Sequence, residues 1–188
     1  CGCGRGRMRE AHRVREGRAI LSQPGATPAD NSLKQRYQQF LRAKCEEELG
    51  EYTLAAENYP TNMEYRFAQA QRLYLLGRFQ EAIPLFQQAR HDPKLKVDSS
   101  TNLGRAFLDA GFLDEAVDTL RETIESYELR GDPRSKEVYY WYGPSREQKG
   151  DAQTAFRGDS QVSQWDFNSR DVQVRIRQLR GDAAAPAV

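Results

Sequence analysis

Few residues of this 188-residue chain are of the types that carry out catalysis or hold metal ions. The only histidines are His12 and His91, and the cysteines are Cys1, Cys3 and Cys45. A hydrolase needs a nucleophile, a base and an orienting group close together, and a zinc site needs thiolates or imidazoles at defined spacings. Two isolated histidines and a Cys-x-Cys pair supply neither set. We therefore expect no catalytic residue, no metal and no cofactor.

Carboxylates and glycines give no stronger indication of chemistry. Three consecutive glutamates, residues 46–48, would lie on different faces of a helix, where they solvate it rather than form a catalytic pair. The glycines near the start of the chain alternate with cysteine and arginine and match no phosphate-binding loop. The sequence therefore predicts a protein that is not an enzyme.

The stretch from Tyr65 to Ala89 recurs from Ser99 to Thr123, at a constant offset of 34 residues. The matched pairs are Ala70/Gly104, Leu73/Phe107, Gly77/Gly111, Phe79/Leu113, Glu81/Glu115, Ala82/Ala116 and Phe86/Leu120. A fixed period of this length, with two helical patterns per unit, is typical of a solenoid. It predicts an all-α fold, an α-solenoid of stacked antiparallel helix pairs, with the repeated glycines at the bends.

These landmarks resemble the tetratricopeptide repeat. In that repeat the first helix holds a small and a large apolar residue, the turn holds glycine, and the second helix holds alanine followed by an aromatic residue. The chain has Ala70, Leu73, Gly77, Ala82 and Phe86 at these places. A narrower resemblance, to uncharacterised bacterial proteins of the planctomycete type, covers about residues 46–180 and rests on residues 60–62, 82–90 and 165–172. The resemblance implies a binding scaffold with no known activity.

We divide the chain into a disordered basic arm at residues 1–30, a helical repeat domain at residues 31–180 and a disordered tail at residues 181–188. The arm holds six arginines, whereas the net charge of the whole chain is only +1. We interpret it as a solvated tail, with a nucleic-acid-binding or membrane-binding arm as the alternative. Its first residues indicate the interior of a longer reading frame, and a lipidated N-terminal cysteine is the alternative.

Three repeats are predicted, at about residues 63–96, 97–130 and 136–168, followed by a cap helix at residues 169–180. Before them, an apolar face from Leu33 to Cys45 indicates a helix, and residues 46–58 resemble a second helix. Whether residues 33–58 form one helix or two stays open, because Gly50 is the only breaker inside them.

The third repeat departs from the pattern, because it aligns at an offset of 39 rather than 34 residues. Pro144 falls inside its first helix, and Asp159 stands where the second repeat has Leu120. Since an internal proline removes a hydrogen bond and clashes with the preceding turn, we expect a kinked, less stable repeat.

The cap helix is predicted from an apolar stripe formed by Val172, Ile176 and Leu179, with Asn168 or Ser169 as its N-cap. Its arginines are Arg170, Arg175, Arg177 and Arg180. We interpret them as the solvated outer face of a solenoid end rather than as a patch that binds nucleic acid.

The resemblance implies a concave groove lined by the first helix of each repeat. The candidate peptide-binding residues at its positions are Phe67, Gln71, Tyr74, Thr101, Asn102, Arg105, Tyr140 and Trp141. Aromatic rings beside arginine suit an extended or helical peptide, and packing against a neighbouring helix is the alternative for each ring. Family members that grip chaperone tails use a clamp of Lys, Asn and Arg. Only Asn102 matches it, so binding of chaperone tails is not expected.

We therefore predict a non-enzymatic scaffold or adaptor that binds a protein or peptide in this groove and binds no nucleic acid. One alternative is a structural module that forms a homodimer through the apolar face of residues 33–45 and the third repeat. The other is an accessory repeat region of a larger protein. Because no run approaches about 20 apolar residues, no transmembrane segment is expected. This favours a soluble protein, with the cytoplasm preferred but the compartment left open.

Overall fold

The computed structural model describes residues 28–128 and 130–183, and all regular structure within them is α-helical. The helices are α1 (Pro28–Asn58), α2 (Met63–Leu75), α3 (Phe79–Ala89), α4 (Lys96–Asp109), α5 (Leu113–Ser126), α6 (Pro133–Gln148), α7 (Ala152–Trp165) and α8 (Val172–Ala183). Helices α2/α3, α4/α5 and α6/α7 pack as pairs, each pair packs on the next, and α8 packs on α7. The predicted α-solenoid is confirmed.

The ends of the chain differ in detail from the predicted boundaries. Residues 28–30, assigned to the basic arm, form the first turn of α1, and residues 181–183, assigned to the tail, extend α8. The remainder of the arm, residues 1–27, and of the tail, residues 184–188, lie outside the described residues.

The described residues divide into two units between Glu48 and Leu49. Helix α1 runs through the boundary as one helix of 31 residues, so the choice left open by the sequence is resolved. Gly50 lies within this helix, and a Cβ built there would meet no atom within 4 Å. The three helix pairs and α8 all belong to the second unit.

Each helix pair turns at a glycine. Gly77, Gly111 and Gly150 have φ angles of +77°, +86° and +85°, in the left-handed region that glycine enters without steric cost. After α2, the amide of Arg78 donates to the carbonyl of Leu73 at 2.9 Å, which satisfies one of the free carbonyls at the helix end. The repeated glycines therefore lie at the bends, as predicted.

Polar caps begin two of the first helices. The Asn62 side chain accepts a hydrogen bond from the amide of Glu64 at 3.0 Å, and the Asp132 carboxylate accepts one from the amide of Ser135 at 2.9 Å. Pro133 is the first residue of α6, where its missing N–H costs nothing. These caps fix where α2 and α6 leave their loops.

The core is a seam between helices in which small residues face large ones. Phe86 and Leu120 are fully buried, and so are Ala70 and Ala82 beside them. A Cβ added to Gly104 would lie 2.5 Å from Cγ of Leu120. The absence of a side chain at residue 104 thus allows α4 and α5 to pack closely.

The first helix of the third repeat is continuous despite its proline. Helix α6 runs through Pro144 to Gln148. Proline has no N–H to donate to the carbonyl of Tyr140, four residues earlier. That carbonyl instead accepts a hydrogen bond from Nη2 of Arg175, on α8, at 3.4 Å. The third repeat is therefore a complete helix pair, in which α8 replaces the hydrogen bond that the proline removes.

Asp159 occupies the core position of the third repeat, with an exposed fraction of 1%. Its carboxylate accepts two hydrogen bonds from Arg175, from Nε at 3.0 Å and from Nη2 at 2.5 Å. Burial raises the pKa of the Asp159 carboxyl, and the hydrogen bonds and charge of Arg175 act against that rise. A Cβ added to Gly143 would lie 2.5 Å from Oδ1 of Asp159. The Gly104/Leu120 contact thus has a polar counterpart in Gly143 and Asp159.

The arginines of the cap helix require a correction, because they do not all form a solvated face. Arg175 is only 9% exposed and pairs with Asp159, and Arg170 forms an ion pair with Glu137. Arg177 and Arg180 are exposed, as predicted. Helix α8 begins at Val172, past the predicted capping residues, so that Arg170 lies before the helix.

Candidate functional site

Three candidate groove residues from three different repeats stack on one another. The guanidinium carbon of Arg105, on α4, lies 4.7 Å from the ring centroid of Tyr74 and 4.3 Å from the ring of Trp141. Tyr74 comes from α2 and Trp141 from α6. At these distances the cation is attracted to both rings. We call these three residues the central stack.

The hydrogen bonds of Arg105 within the chain are few and long. Nη1 donates to Oδ1 of Asn102 at 3.2 Å, and Nη2 donates to the Tyr74 hydroxyl at 3.4 Å. A carboxylate oxygen of Glu137 lies 4.0 Å from Nη1. Among the described residues, none accepts from the buried Nε. A guanidinium has five N–H donors, so Arg105 retains unused donor capacity.

The phenol of Tyr74 is held in its neutral form. Burial and a hydrogen bond donated to Asp109 raise the pKa of Tyr74 to about 12, although the Arg105 charge acts in the opposite direction. Because the hydroxyl donates to Asp109, its lone pairs remain available to Nη2 of Arg105. Asp109 thereby orients one side of the central stack.

Glu137, at another groove position of the third repeat, orients the other side. Its Oε1 accepts a hydrogen bond from Nε1 of Trp141 at 2.7 Å, and its Oε2 forms an ion pair with Arg170. The first contact lies one helical turn away, so the sequence spacing could have indicated it. The second joins residues 33 positions apart on different elements and leaves no sequence signal.

The side chain of Tyr140 contacts residues of α8 and of the segment that leads into it. Its ring lies between two guanidinium groups, 4.1 Å from that of Arg170 and 4.5 Å from that of Arg175. Its hydroxyl donates to Oδ1 of Asp171 at 2.7 Å. Burial and this hydrogen bond raise the pKa of Tyr140. Tyr140 thus packs against neighbouring elements, and its edge supports Trp141 at a centroid distance of 5.1 Å.

Thr101 is buried, which corrects its assignment to an open groove, whereas Phe67 is partly buried and follows the stated alternative of packing against a neighbouring helix. The ring of Phe67 is partly buried and lies 5.8 Å from that of Phe86. Thr101 is 3% exposed, and its hydroxyl donates to the carbonyl of Val97 at 2.7 Å. Gln71 and Asn102 remain half-buried, and Asn102 also donates to the carbonyl of Asp98 at 2.8 Å.

The carboxylates around the central stack all have partners within the chain. Asp98 pairs with Arg134 at 3.1 Å, Glu137 pairs with Arg170, and Asp109 accepts from Tyr74. The charge of Arg105, by contrast, has among the described residues only a carboxylate oxygen of Glu137 beside it, at 4.0 Å. Chemically, the face is suited to receive a carboxylate.

The described part of the chain contains no group of three His, Cys, Asp or Glu residues that could hold a metal ion. None of its helices combines the length and apolar character needed to cross a membrane.

Comparison with known proteins agrees with this architecture. No curated protein matches the chain. A solved structure of MamA from Desulfovibrio magneticus RS-1, residues 41 to the end, superposes with a TM-score of 0.65 at 16% identity, over 81% of this chain and 84% of that one. The thermophilic tetratricopeptide repeat protein TTC0263 of Thermus thermophilus gives 0.60 at 14% identity, over 82% of each chain. These identities establish similarity of fold.

The family is established by a sequence model rather than by these structures. The model described as "Tetratricopeptide repeat" matches residues 53–95 and 101–158, which together make up more than half of the chain. The first match spans α2 and α3, and the second spans α4 to α7. The chain belongs to the tetratricopeptide repeat family.

Proposed function

We propose that this protein is a scaffold that binds a peptide segment of a protein partner across α2, α4 and α6, with a carboxylate of that peptide against Arg105. The tetratricopeptide repeat is generally an interaction module. The observation that carries the proposal is the guanidinium of Arg105, held between Tyr74 and Trp141, whose Nη1 and Nη2 make only long hydrogen bonds within the described chain, at 3.2 and 3.4 Å. The peptide's remaining contacts fall to the half-buried Gln71 and Asn102.

The stack prepares Arg105 for binding. A free arginine side chain loses considerable rotamer entropy when it binds a ligand, whereas a guanidinium already fixed between two rings loses less. Charge-assisted hydrogen bonds between guanidinium and carboxylate are among the strongest that proteins make. Tyrosine, tryptophan and arginine are also the residues most enriched at energetically dominant positions of interfaces. These features favour Arg105 as the anchor of the surface.

A displayed peptide library selected against the full chain tests this proposal. We expect the enriched peptides to share an aspartate, a glutamate or a free C-terminal carboxylate. Arg105→Gln should weaken the best peptide about tenfold, because a hydrogen bond to a charged group contributes roughly 1.5–3 kcal/mol. Titration calorimetry would measure the dissociation constants.

The matched control is Arg121→Gln. Arg121 is an exposed arginine that pairs with Asp118 at 3.0 Å. It lies on α5, the second helix of its repeat, whereas the proposed peptide site lies on first helices, so its replacement should leave the affinity unchanged. Arg105→Lys separates charge from geometry, since lysine keeps the charge but neither the stacking nor the fork of donors. Selected peptides that lack any carboxylate, or that bind Arg105→Gln as tightly as the wild type, would contradict the proposal.

Self-association is a second candidate function, favoured by one observation on α1. Leu33 and Phe40 are 53% and 45% exposed and lie seven residues apart, so they share one helix face. An apolar stripe of this kind suits helix pairing with a second copy.

Light scattering tests this second candidate. If α1 pairs with a copy of itself, the wild type should have twice the 21.5 kDa mass of the chain, and Phe40→Glu should return it to that value. Gln39→Glu introduces the same charge at the adjacent exposed position and should leave the mass unchanged. A wild type of 21.5 kDa at micromolar concentration would exclude stable pairing.

A further inference from the structure

A second surface feature, which shares no residue with the central stack, lies where α3 ends and α4 begins. It is a cavity of about 190 Å³ lined by Arg90, His91, Lys96, Ser100, Glu122, Thr123 and Ser126. We propose that this cavity binds a phosphate group, either as the free anion or as the phosphate monoester of a phosphorylated partner.

The charge of the cavity comes from residues that have no other electrostatic partner among the described residues. Arg90 and Lys96 carry permanent positive charges, and His91 adds an imidazole between them in sequence. Within the described part of the chain, none of these three side chains forms a hydrogen bond or an ion pair. Unpaired cations that converge on one concavity create a local positive potential, which attracts a multiply charged anion.

Ser100 supplies a second and independent indication of a ligand. It is 8% exposed and lines the cavity, yet its hydroxyl makes no hydrogen bond to any described residue. The threonines on either side of the cavity differ, since Thr101 donates to Val97 and Thr123 donates to Thr119, each at 2.7 Å. The Ser100 hydroxyl therefore keeps its hydrogen-bonding capacity within the cavity. An anion in the cavity would accept its hydrogen bond.

The position on α4 adds to this potential. Lys96 is the first residue of α4 and Ser100 follows one turn later, so the cavity lies beside the first turn of the helix. No side chain caps this end, and the acidic residue of the first turn, Asp98, pairs with Arg134. The partial positive charge of a helix N-terminus favours an anion here.

One lining residue opposes an anion. Glu122 contributes a carboxylate from α5, and its charge should weaken the binding of phosphate. It is one carboxylate against the positive charges of Arg90 and Lys96. Neutralising Glu122 should therefore improve binding, an effect that nonspecific adsorption to surface cations elsewhere would not show.

Titration of the 15N-labelled full chain with anionic probes tests the proposal. The amide NMR signals of residues 90–100 report the binding. The probes are inorganic phosphate, a peptide containing phosphoserine, and the same peptide without phosphate, all at constant ionic strength. We expect saturable shifts centred on Lys96 and Ser100 for the phosphorylated probes alone. A peptide that binds at least tenfold more tightly than inorganic phosphate would identify a phosphorylated partner, and equal affinities would identify the free anion.

Variants make the test specific to the cavity. Arg90→Gln and Lys96→Gln should each weaken the phosphorylated probe about fivefold, Ser100→Ala about threefold, and Glu122→Gln should tighten it about threefold, as the loss or gain of single charge-assisted contacts implies. Arg157→Gln, at an exposed arginine on α7, is the matched control and should change nothing. Shifts scattered over unrelated arginines, no binding of either phosphorylated probe, or equal affinities for wild type and all cavity variants would overturn the proposal.

Discussion

Replacement of Arg175 by methionine is expected to lower the free energy of unfolding by about 3–5 kcal/mol, the usual consequence of breaking a buried ion pair by removal of one partner. The variant leaves the carboxylate of Asp159 buried and unpaired. It also leaves the carbonyl of Tyr140 without the hydrogen bond that Pro144 cannot supply. Urea denaturation of the full chain, followed by circular dichroism, would measure the loss.

Two further variants separate these contributions. Asp159→Leu combined with Arg175→Met recreates the apolar contact of Gly104 with Leu120 and should recover most of the stability, since apolar replacement of a whole buried pair is often neutral. Pro144→Ala in the Arg175→Met background supplies an N–H that can donate to the carbonyl of Tyr140. It should recover a smaller part of the lost stability. An Arg175→Met protein within about 1 kcal/mol of the wild type would show that the pair contributes little beyond the cost of its burial.

The role of Arg175 explains why the third repeat could not be judged from its sequence. An alignment of repeats compares each position with its equivalents, and by that comparison Pro144 and Asp159 are both defects. Arg175 donates hydrogen bonds both to the carboxylate of Asp159 and to the carbonyl that Pro144 leaves without a donor. It lies on α8, outside the repeating unit. No pairwise rule connects it to them, because the contact depends on how α8 packs on α7. A pattern that lies within a repeat could be predicted, whereas compensation by a different element could not.

The turns show the opposite case. Gly77 and Gly111 could be placed at bends from sequence alone, because a positive φ is a property of the local backbone that favours glycine wherever it occurs. The same holds for the helix pairs, since their apolar periodicity is a local signal. The continuity of α1 through Gly50 could not be predicted, because an isolated glycine is compatible with either a break or a helix.

The candidate site could be predicted from the sequence only in part. The repeat pattern correctly assigned Tyr74, Arg105 and Trp141 to first helices, but it could not show that the two rings enclose the guanidinium. It also assigned Thr101 to the groove, although the side chain of Thr101 is turned inward and buried. Helical phase fixes the face of a residue only to within a fraction of a turn, and at the edge of an apolar stripe that error decides between core and surface.

Gly104→Ala and Gly50→Ala are expected to change stability in opposite directions, although each puts one methyl group into a helix. Alanine favours a helix over glycine by about 1 kcal/mol, so both variants gain this amount in the absence of other effects. At Gly50 no atom lies within 4 Å of the new Cβ, and the free energy of unfolding should rise by up to about 1 kcal/mol. Urea denaturation of both variants beside the wild type would measure the two changes.

At Gly104 the new Cβ would lie 2.5 Å from Cγ and 2.7 Å from Cδ2 of Leu120, a side chain that is fully buried. Overpacking of this kind costs about 1–3 kcal/mol, so after the gain in helix propensity the net change should be a loss of up to about 2 kcal/mol. Adding Leu120→Ala to Gly104→Ala removes the clash, and the double variant should be more stable than the sum of the two single changes predicts. Additive losses would mean that the cost of a side chain at residue 104 does not arise from its contact with Leu120, and would contradict the close packing of α4 on α5 as its cause.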